Sequence, residues 1–227
     1  MEANRQSRVS GAGSNIRFSD TPDASIVPPM LRRRLNFMGR GCISEMLQHI
    51  SNDENLPIVF CSRHGDIERT LKVLIDLAKG EPASPMDFSL AVHNAIAGIL
   101  SIHCNITANI SSIATSEGAI VPVLLEAVGL LSESTPKVLC ILCDVSLPTM
   151  YRTSAEEDEF PFVACFTVTA AGGAPLHLSY EGSAGNAAVN TPLDFLEFLA
   201  AGDADSAKAF TTLHNSACWV VRKSSSL

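Results

Sequence analysis

One short segment of the chain places a carboxylate side chain at a predicted helix N-terminus, a position that suits chemistry. Residues 114–118, with the sequence ATSEG, lie between an apolar run typical of a strand and a run typical of a buried helix. A helix N-terminus presents free backbone N–H groups, which suit an anion or a nucleophile. Glu117 supplies a carboxylate at this junction. The simpler interpretation of Glu117 is a first-turn acid that offsets the helix dipole.

The other reactive side chains form no catalytic or metal-binding motif. The sequence contains no glycine-rich phosphate loop, no GxSxG and no HExxH, and its six histidines are isolated from one another. Its seven cysteines are scattered and odd in number, which argues against a disulfide framework. Cys140 and Cys143 form a lone CxxC, but strand alternation would point them to opposite faces. We therefore expect no metal site and no cofactor.

Composition restricts the class of protein and the kind of partner. The 227 residues carry a formal charge of −8, which argues against binding to nucleic acid. Only 18% of the residues are charged and 46% are hydrophobic, so the chain needs a large core together with an extensive protein interface. The two longest stretches without charge, 88–116 and 160–180, contain too many polar residues, prolines and glycines to span a membrane. The first 14 residues have no apolar core, so we expect a cytoplasmic protein without a secretory signal.

Hydrophobic periodicity predicts an α/β layered fold with a mixed, largely buried sheet, because strands alternate with helices through residue 131 and strands then follow one another. Residues 1–25 would form an N-terminal arm, and residues 26–227 a single domain. The pattern predicts helices over 31–50, 64–80, 89–103, 117–132 and 192–202, and strands over 56–62, 110–116, 137–146, 160–170 and 217–223.

Several details of these predicted helices are open to direct comparison with the structure. Gly39 and Gly41 are expected to interrupt the first helix. Ser89 is expected to cap the third helix. Thr191 and Asp194 are expected to form a capping box at the start of the last helix. The small residues of the third helix are expected to pack closely against another element; they are Ala91, Ala95, Ala97 and Gly98.

The segment SPMDFSLAVHNAIAGILSIHCNITANISSIATSEGAIVPVLLEA resembles the N-terminal half of a thiolase-fold β-ketoacyl synthase, in which a NAxAGxxSI helix precedes the nucleophile strand and helix. The segments PPMLRRRLNFMGR and PIVFCSRHGDIERTL resemble one subgroup more closely. That subgroup comprises short ketosynthase-like proteins of aryl polyene biosynthesis, described as chain-length-factor-like subunits. The resemblance implies one truncated, layered half of the thiolase-like fold.

The same resemblance implies that this chain is the partner of a catalytic subunit and not itself a catalyst. The family's nucleophilic cysteine falls on Glu117, which cannot form a thioester, and the half that supplies the family's histidines is expected to be absent. The resemblance implies that this chain forms a heterodimer with a full-length β-ketoacyl synthase. It would contact the acyl carrier protein through that complex. The resemblance also implies a set of residues that line the shared acyl cavity or the interface, namely Ala91, Asn94, Ala95, Gly98 and Ser116.

Two other functions compete with a noncatalytic chain-length factor. The first is a decarboxylase, in which Glu117 would promote decarboxylation of a malonyl-carrier. General acid/base chemistry needs a second oriented group, however, and the sequence shows none. In the second, the chain only stabilises the ketosynthase. In the resembling fold the strand ISSIATS pairs across a two-fold axis, so it would be an exposed, apolar, uncharged edge in the isolated chain. That edge predicts an obligate interface.

Overall fold

The computed structural model describes residues 21–51, 54–115, 118–151, 161–172, 175–183, 190–201 and 209–223. The helices are α1 Pro29–Arg32, α2 Phe37–His49, α3 Ile67–Ala78, α4 Pro85–Leu90, α5 Ala95–Cys104, α6 Ile120–Leu130 and α7 Pro192–Ala200. The strands are β1 Ile58–Cys61, β2 Ile110–Ile113, β3 Lys137–Asp144, β4 Phe162–Thr169, β5 Leu176–Ser183, β6 Ala209–His214 and β7 Ala217–Lys223.

The first sheet has the strand order β2-β1-β3-β4, in which β1 is parallel to both β2 and β3, and β4 is antiparallel to β3. It is mixed, as predicted. Every residue of β1 is buried, because helices cover both faces of the sheet. On one face α2 and α5 pack against Ile58 and Phe60, and on the other face α6 packs against Val59 and Cys61.

The two glycines of α2 do not break the helix, so that expectation is wrong. Gly39 and Gly41 both lie inside the helix, whose N-terminus is capped by the Asn36 side chain accepting from the Gly39 amide at 2.9 Å. A methyl group on Gly41 would stand 3.2 Å from the Cγ2 atom of Val163 in β4. The glycine therefore allows close packing of the helix on the sheet.

The predicted third helix is two helices. Ser84 caps α4 by accepting from the Asp87 amide at 3.3 Å, whereas Ser89 lies within α4 and donates to the Met86 carbonyl. The expectation that Ser89 is a cap is therefore wrong. The interruption at residues 91–94 allows α4 to lie over α3 while α5 continues onto the sheet.

A second sheet follows, with antiparallel strands in the order β5-β7-β6. Sequence analysis found β7 and α7, whose capping box of Thr191 and Asp194 is present as predicted, but missed β5 and β6. Phe210 and Val221 of this sheet join α6, α7 and the first sheet in one core. The described residues thus form four layers: helices, sheet, helices and sheet.

The outer face of the second sheet is polar. Arg222 forms an ion pair with Glu181 at 2.9 Å and donates to the Ser179 hydroxyl at 2.9 Å, and the side chains of Arg222 and Glu181 are nearly half exposed. One apolar and one polar face are typical of an antiparallel sheet that faces water on one side. No helix of the described residues covers this face.

Candidate functional site

Strand β2 is the free edge of the first sheet. The carbonyls of Asn109 and Ile113 accept bonds from the amides of Ile58 and Ser62, at 3.0 and 3.2 Å. Because backbone groups alternate in direction along a strand, the N–H and C=O groups of Ile110 and Ser112 point away from β1. The described residues supply no strand on that side. The predicted exposed edge is therefore confirmed.

Exposed apolar side chains lie on the helices that precede and follow β2 in the chain. Ile102 of α5 is 81% exposed, and Leu125 and Val128 of α6 are each about half exposed. Glu126 of α6 approaches the edge and accepts a 2.5 Å hydrogen bond from the Ser111 hydroxyl. The edge thus offers a strip of backbone donors and acceptors beside α6, whose Leu125 and Val128 are exposed, and such a strip suits an added strand.

The small residues assigned to the cavity or interface occupy different environments. Ala97 is fully buried, Ala91 and Ala95 are half-buried and Asn94 is exposed. A methyl group on Gly98 would meet no atom within 4 Å, so the expected close packing of this glycine against another element is wrong for the described chain. The open side of α5, with Gly98 and Ile102, is available to another molecule.

The junction between β2 and α6 is only partly described. Ser116 and Glu117 lie outside the described residues. Helix α6 begins at Ile120, so the first helical turn follows Glu117 rather than containing it. Gly118 has a φ of +57°, in the left-handed region that favours glycine. The chain therefore makes a sharp turn immediately after the position of Glu117.

A hairpin from the second sheet closes over this turn. A methyl group on Gly118 would stand 1.8 Å from the carbonyl oxygen of Leu213 and 3.1 Å from the Cβ atom of His214. Asn215 and Ser216 form the hairpin turn with φ values of 51° and 60°. Sequence reasoning missed the position of His214, because the residue lies about 100 positions downstream, in a strand that the pattern did not predict.

A second polar cluster lies at the carboxyl ends of β1 and β3. Asp144 accepts from the Ser62 hydroxyl at 2.9 Å and from the Arg63 amide at 2.8 Å. Burial raises the pKa of the Asp144 carboxyl, while the bonds from Ser62, Arg63 and His64 partly offset the rise. His93 lies 2.7 Å from the Ser62 carbonyl. These contacts anchor the loop that leads from β1 into α3.

Four of the seven cysteines are buried in the core, namely Cys42, Cys61, Cys140 and Cys143. Cys140 and Cys143 lie on opposite faces of the first sheet, in separate cores. Burial raises the pKa of Cys61 and of Cys140 to about 12, so both are protonated thiols. Within the described residues there is no cluster of three or more side chains suited to a metal. Among the same residues no helix has the length and hydropathy needed to cross a membrane.

Comparison with known protein families identifies the class of this chain. The sequence profile of the β-ketoacyl synthase N-terminal domain matches residues 9–219. Since the match covers most of the chain, the chain belongs to that family. No curated protein sequence matches this chain significantly.

Two solved structures share the thiolase-like ketosynthase fold. The first is the complex of the ketosynthase ApeO with its chain length factor ApeC from Xenorhabdus doucetiae, with a TM-score of 0.76 and 24% identity over 98% of this chain and 93% of the matched chain. The second is the ishigamide ketosynthase/chain length factor, with a TM-score of 0.57 and 13% identity over 77% of this chain and 74% of that one. At these identities the similarity establishes the fold.

Proposed function

We propose that this chain is a noncatalytic, chain-length-factor-like subunit that pairs with an active β-ketoacyl synthase in aryl polyene biosynthesis. The observation that carries the proposal is the free β2 edge beside the exposed apolar side chains of α6. An edge of this kind promotes aggregation unless another strand covers it. The similar fold of a ketosynthase in complex with its chain length factor supports the identity of the partner.

Pairing through β2 would join the first sheets of the two subunits into one continuous sheet. Ile110 and Ser112 would exchange backbone hydrogen bonds with the ketosynthase strand. The open side of α5 at Gly98 would then face the partner and contribute to the acyl cavity. The acyl carrier protein would dock on the complex.

A carboxylate at residue 117 supports the noncatalytic part of the proposal. A condensing enzyme transfers its acyl group to a nucleophile as a thioester, which a glutamate side chain cannot form. We propose that Glu117 instead anchors the junction. The N-terminal end of α6 favours the ionised form of a nearby carboxylate.

The pairing test is co-expression with a full-length β-ketoacyl synthase of aryl polyene biosynthesis. We expect a soluble 1:1 complex by mass measurement and a sharp fall in soluble yield when the ketosynthase is omitted, because the edge then stays uncovered. A concentration-independent monomer at micromolar concentration, with no binding to the ketosynthase, would contradict the proposal.

One observation favours the decarboxylase alternative. The Cβ atom of His214 lies close to Gly118, the residue that follows Glu117 in the sequence. Decarboxylation would break the bond between the malonyl carboxylate and the α-carbon and release carbon dioxide, leaving an enolate that is then protonated. A carboxylate and a histidine are groups that general acid/base catalysis employs.

The release of carbon dioxide from malonyl-carrier protein separates the noncatalytic function from the decarboxylase function. It is measured on the complex after the ketosynthase cysteine has been blocked. We expect no turnover above background, and little change in assembly for Glu117→Gln, which keeps the shape of the side chain and its capacity to form hydrogen bonds. Glu117→Ala should weaken pairing, because it removes both. Sustained turnover that is lost in Glu117→Gln and in His214→Ala would make this chain an enzyme.

A further inference from the structure

Glu126 of α6 is a half-buried carboxylate beside the free edge. Its side chain accepts the 2.5 Å hydrogen bond from the Ser111 hydroxyl in the middle of β2. Leu125, which precedes it in the chain, is 47% exposed, and Val128, two residues further on, is 58% exposed. A single acid therefore stands next to the backbone groups that an added strand would use.

No cation of the surrounding elements offsets this charge. Residues 88–132, which contain α5, β2 and α6, include no lysine and no arginine. Within the described residues Glu126 forms no ion pair, and Lys137 at the start of β3 binds Glu54 at 2.9 Å instead. A partner that covers the edge takes the Glu126 carboxylate further out of water, which is unfavourable for an unpaired charge.

A second copy of this chain would bring two such charges together. Ile110 and Ser112 hold the outward backbone groups of β2, so the antiparallel register that uses all of them pairs Ile110 of one copy with Ser112 of the other. Ser111 then lies directly opposite its own counterpart, with both side chains on one face. Each serine carries its bond to Glu126, so the two carboxylates would stand on the order of 10 Å apart. Like charges at this separation repel, and a covered interface screens them less than water does.

We propose that Glu126 selects the partner at the β2 edge by its charge, an inference that rests on the proposed function. It favours a ketosynthase strand that presents an arginine or a lysine opposite Ser111, and it disfavours a second copy of this chain. Attraction to the correct partner and repulsion of the wrong one both contribute to specific recognition. Ser111 bonds the Oε1 atom of Glu126, which leaves Oε2 for the cation of the partner.

The test measures the dissociation constant of the purified complex with a full-length β-ketoacyl synthase of aryl polyene biosynthesis, by analytical ultracentrifugation of a dilution series. Glu126→Gln keeps the size of the side chain and an acceptor for the Ser111 hydroxyl but removes the charge. We expect it to raise the dissociation constant at least tenfold. Glu126→Lys reverses the charge and should raise the constant at least 100-fold. The chain released by dilution should associate with itself more strongly in Glu126→Gln than in the unmodified chain.

Glu197→Gln is the matched control, because Glu197 is also a half-buried glutamate inside a helix. Its helix, α7, packs against β4, which lies at the opposite end of the first sheet from β2. We expect the control complex to dissociate like the unmodified one. Added salt should weaken the unmodified complex more than the Glu126→Gln complex, because only the unmodified complex contains the ion pair.

Three results would overturn the inference. Equal dissociation constants for the unmodified, Glu126→Gln and Glu126→Lys complexes would show that the carboxylate selects nothing. Tighter binding of the ketosynthase by Glu126→Gln would mean that the partner presents no cation opposite Ser111. Equal weakening by the two substitutions, with no change in the effect of salt, would mean that Glu126 only supports β2. Failure of the unmodified chain to bind the ketosynthase would instead count against the proposed function.

Discussion

Ser112→Pro is expected to abolish pairing with the ketosynthase while leaving the chain folded. The Ser112 amide points away from β1, so proline at this position removes no bond of the first sheet. It removes a donor that the partner strand needs, and its ring occupies the space into which that strand must move. A buried carbonyl left without a partner costs about 1–3 kcal/mol. With the steric conflict added, we expect at least a 100-fold rise in the dissociation constant, or about 3 kcal/mol.

Titration of the ketosynthase with each purified variant gives the dissociation constants, and circular dichroism reports folding. Ser112→Ala is the control, because it removes the exposed hydroxyl and keeps the amide. It should bind within about twofold of the unmodified chain. Equal binding by Ser112→Pro and Ser112→Ala would mean that the ketosynthase does not add a strand to β2.

The first sheet was predictable because its elements follow simple periodic rules. The strand at Ile58–Cys61 is an uninterrupted apolar run, and α6 is apolar on nearly all sides. A strand buried on both faces and a helix between two sheets leave such patterns. The free edge at β2 followed from the resemblance to a family, since four residues alone do not reveal which side of a strand lacks a neighbour.

The second sheet was not predictable in the same way. Strand β5 alternates weakly, with Leu178 turned inward among exposed or half-exposed neighbours, and a bulge falls between Tyr180 and Gly182. The place of β5 in the sheet depends on cross-strand contacts. One of them is the edge-to-face contact of Tyr180 with Trp219, whose ring centroids lie 5.4 Å apart. Long-range pairing of this kind leaves little local signal in a sequence.

The orientation of α3 shows a different limit. Its apolar stripe correctly predicted a helix, but periodicity does not state which way the stripe faces. Arg69 and Asp87, 18 residues apart, determine that direction through their ion pair. The position of His214 beside Gly118 likewise depends on a contact between distant segments.

Of the small substitutions that we consider in the described part of the chain, Gly118→Ala is expected to destabilise the fold most. A non-glycine residue in the left-handed region costs about 1–2 kcal/mol. The added methyl group would also stand 1.8 Å from the Leu213 carbonyl oxygen, a backbone atom, so the β6–β7 hairpin must move. That hairpin carries Phe210 and Val221 into the core. We expect a loss of at least about 3 kcal/mol, or about 6–12 °C in melting temperature for a chain of this size.

Gly80→Ala separates the cost of the backbone conformation from that of the collision. Gly80 has a φ of +78°, but a methyl group there would meet no atom within 4 Å. This control should lose only the 1–2 kcal/mol of the left-handed conformation. Thermal unfolding of the complex with the ketosynthase gives both values, and hydrogen exchange over residues 209–223 should speed up only in Gly118→Ala. Equal losses in the two variants would show that the hairpin does not close over the junction, which would leave the position of Glu117 open to a substrate.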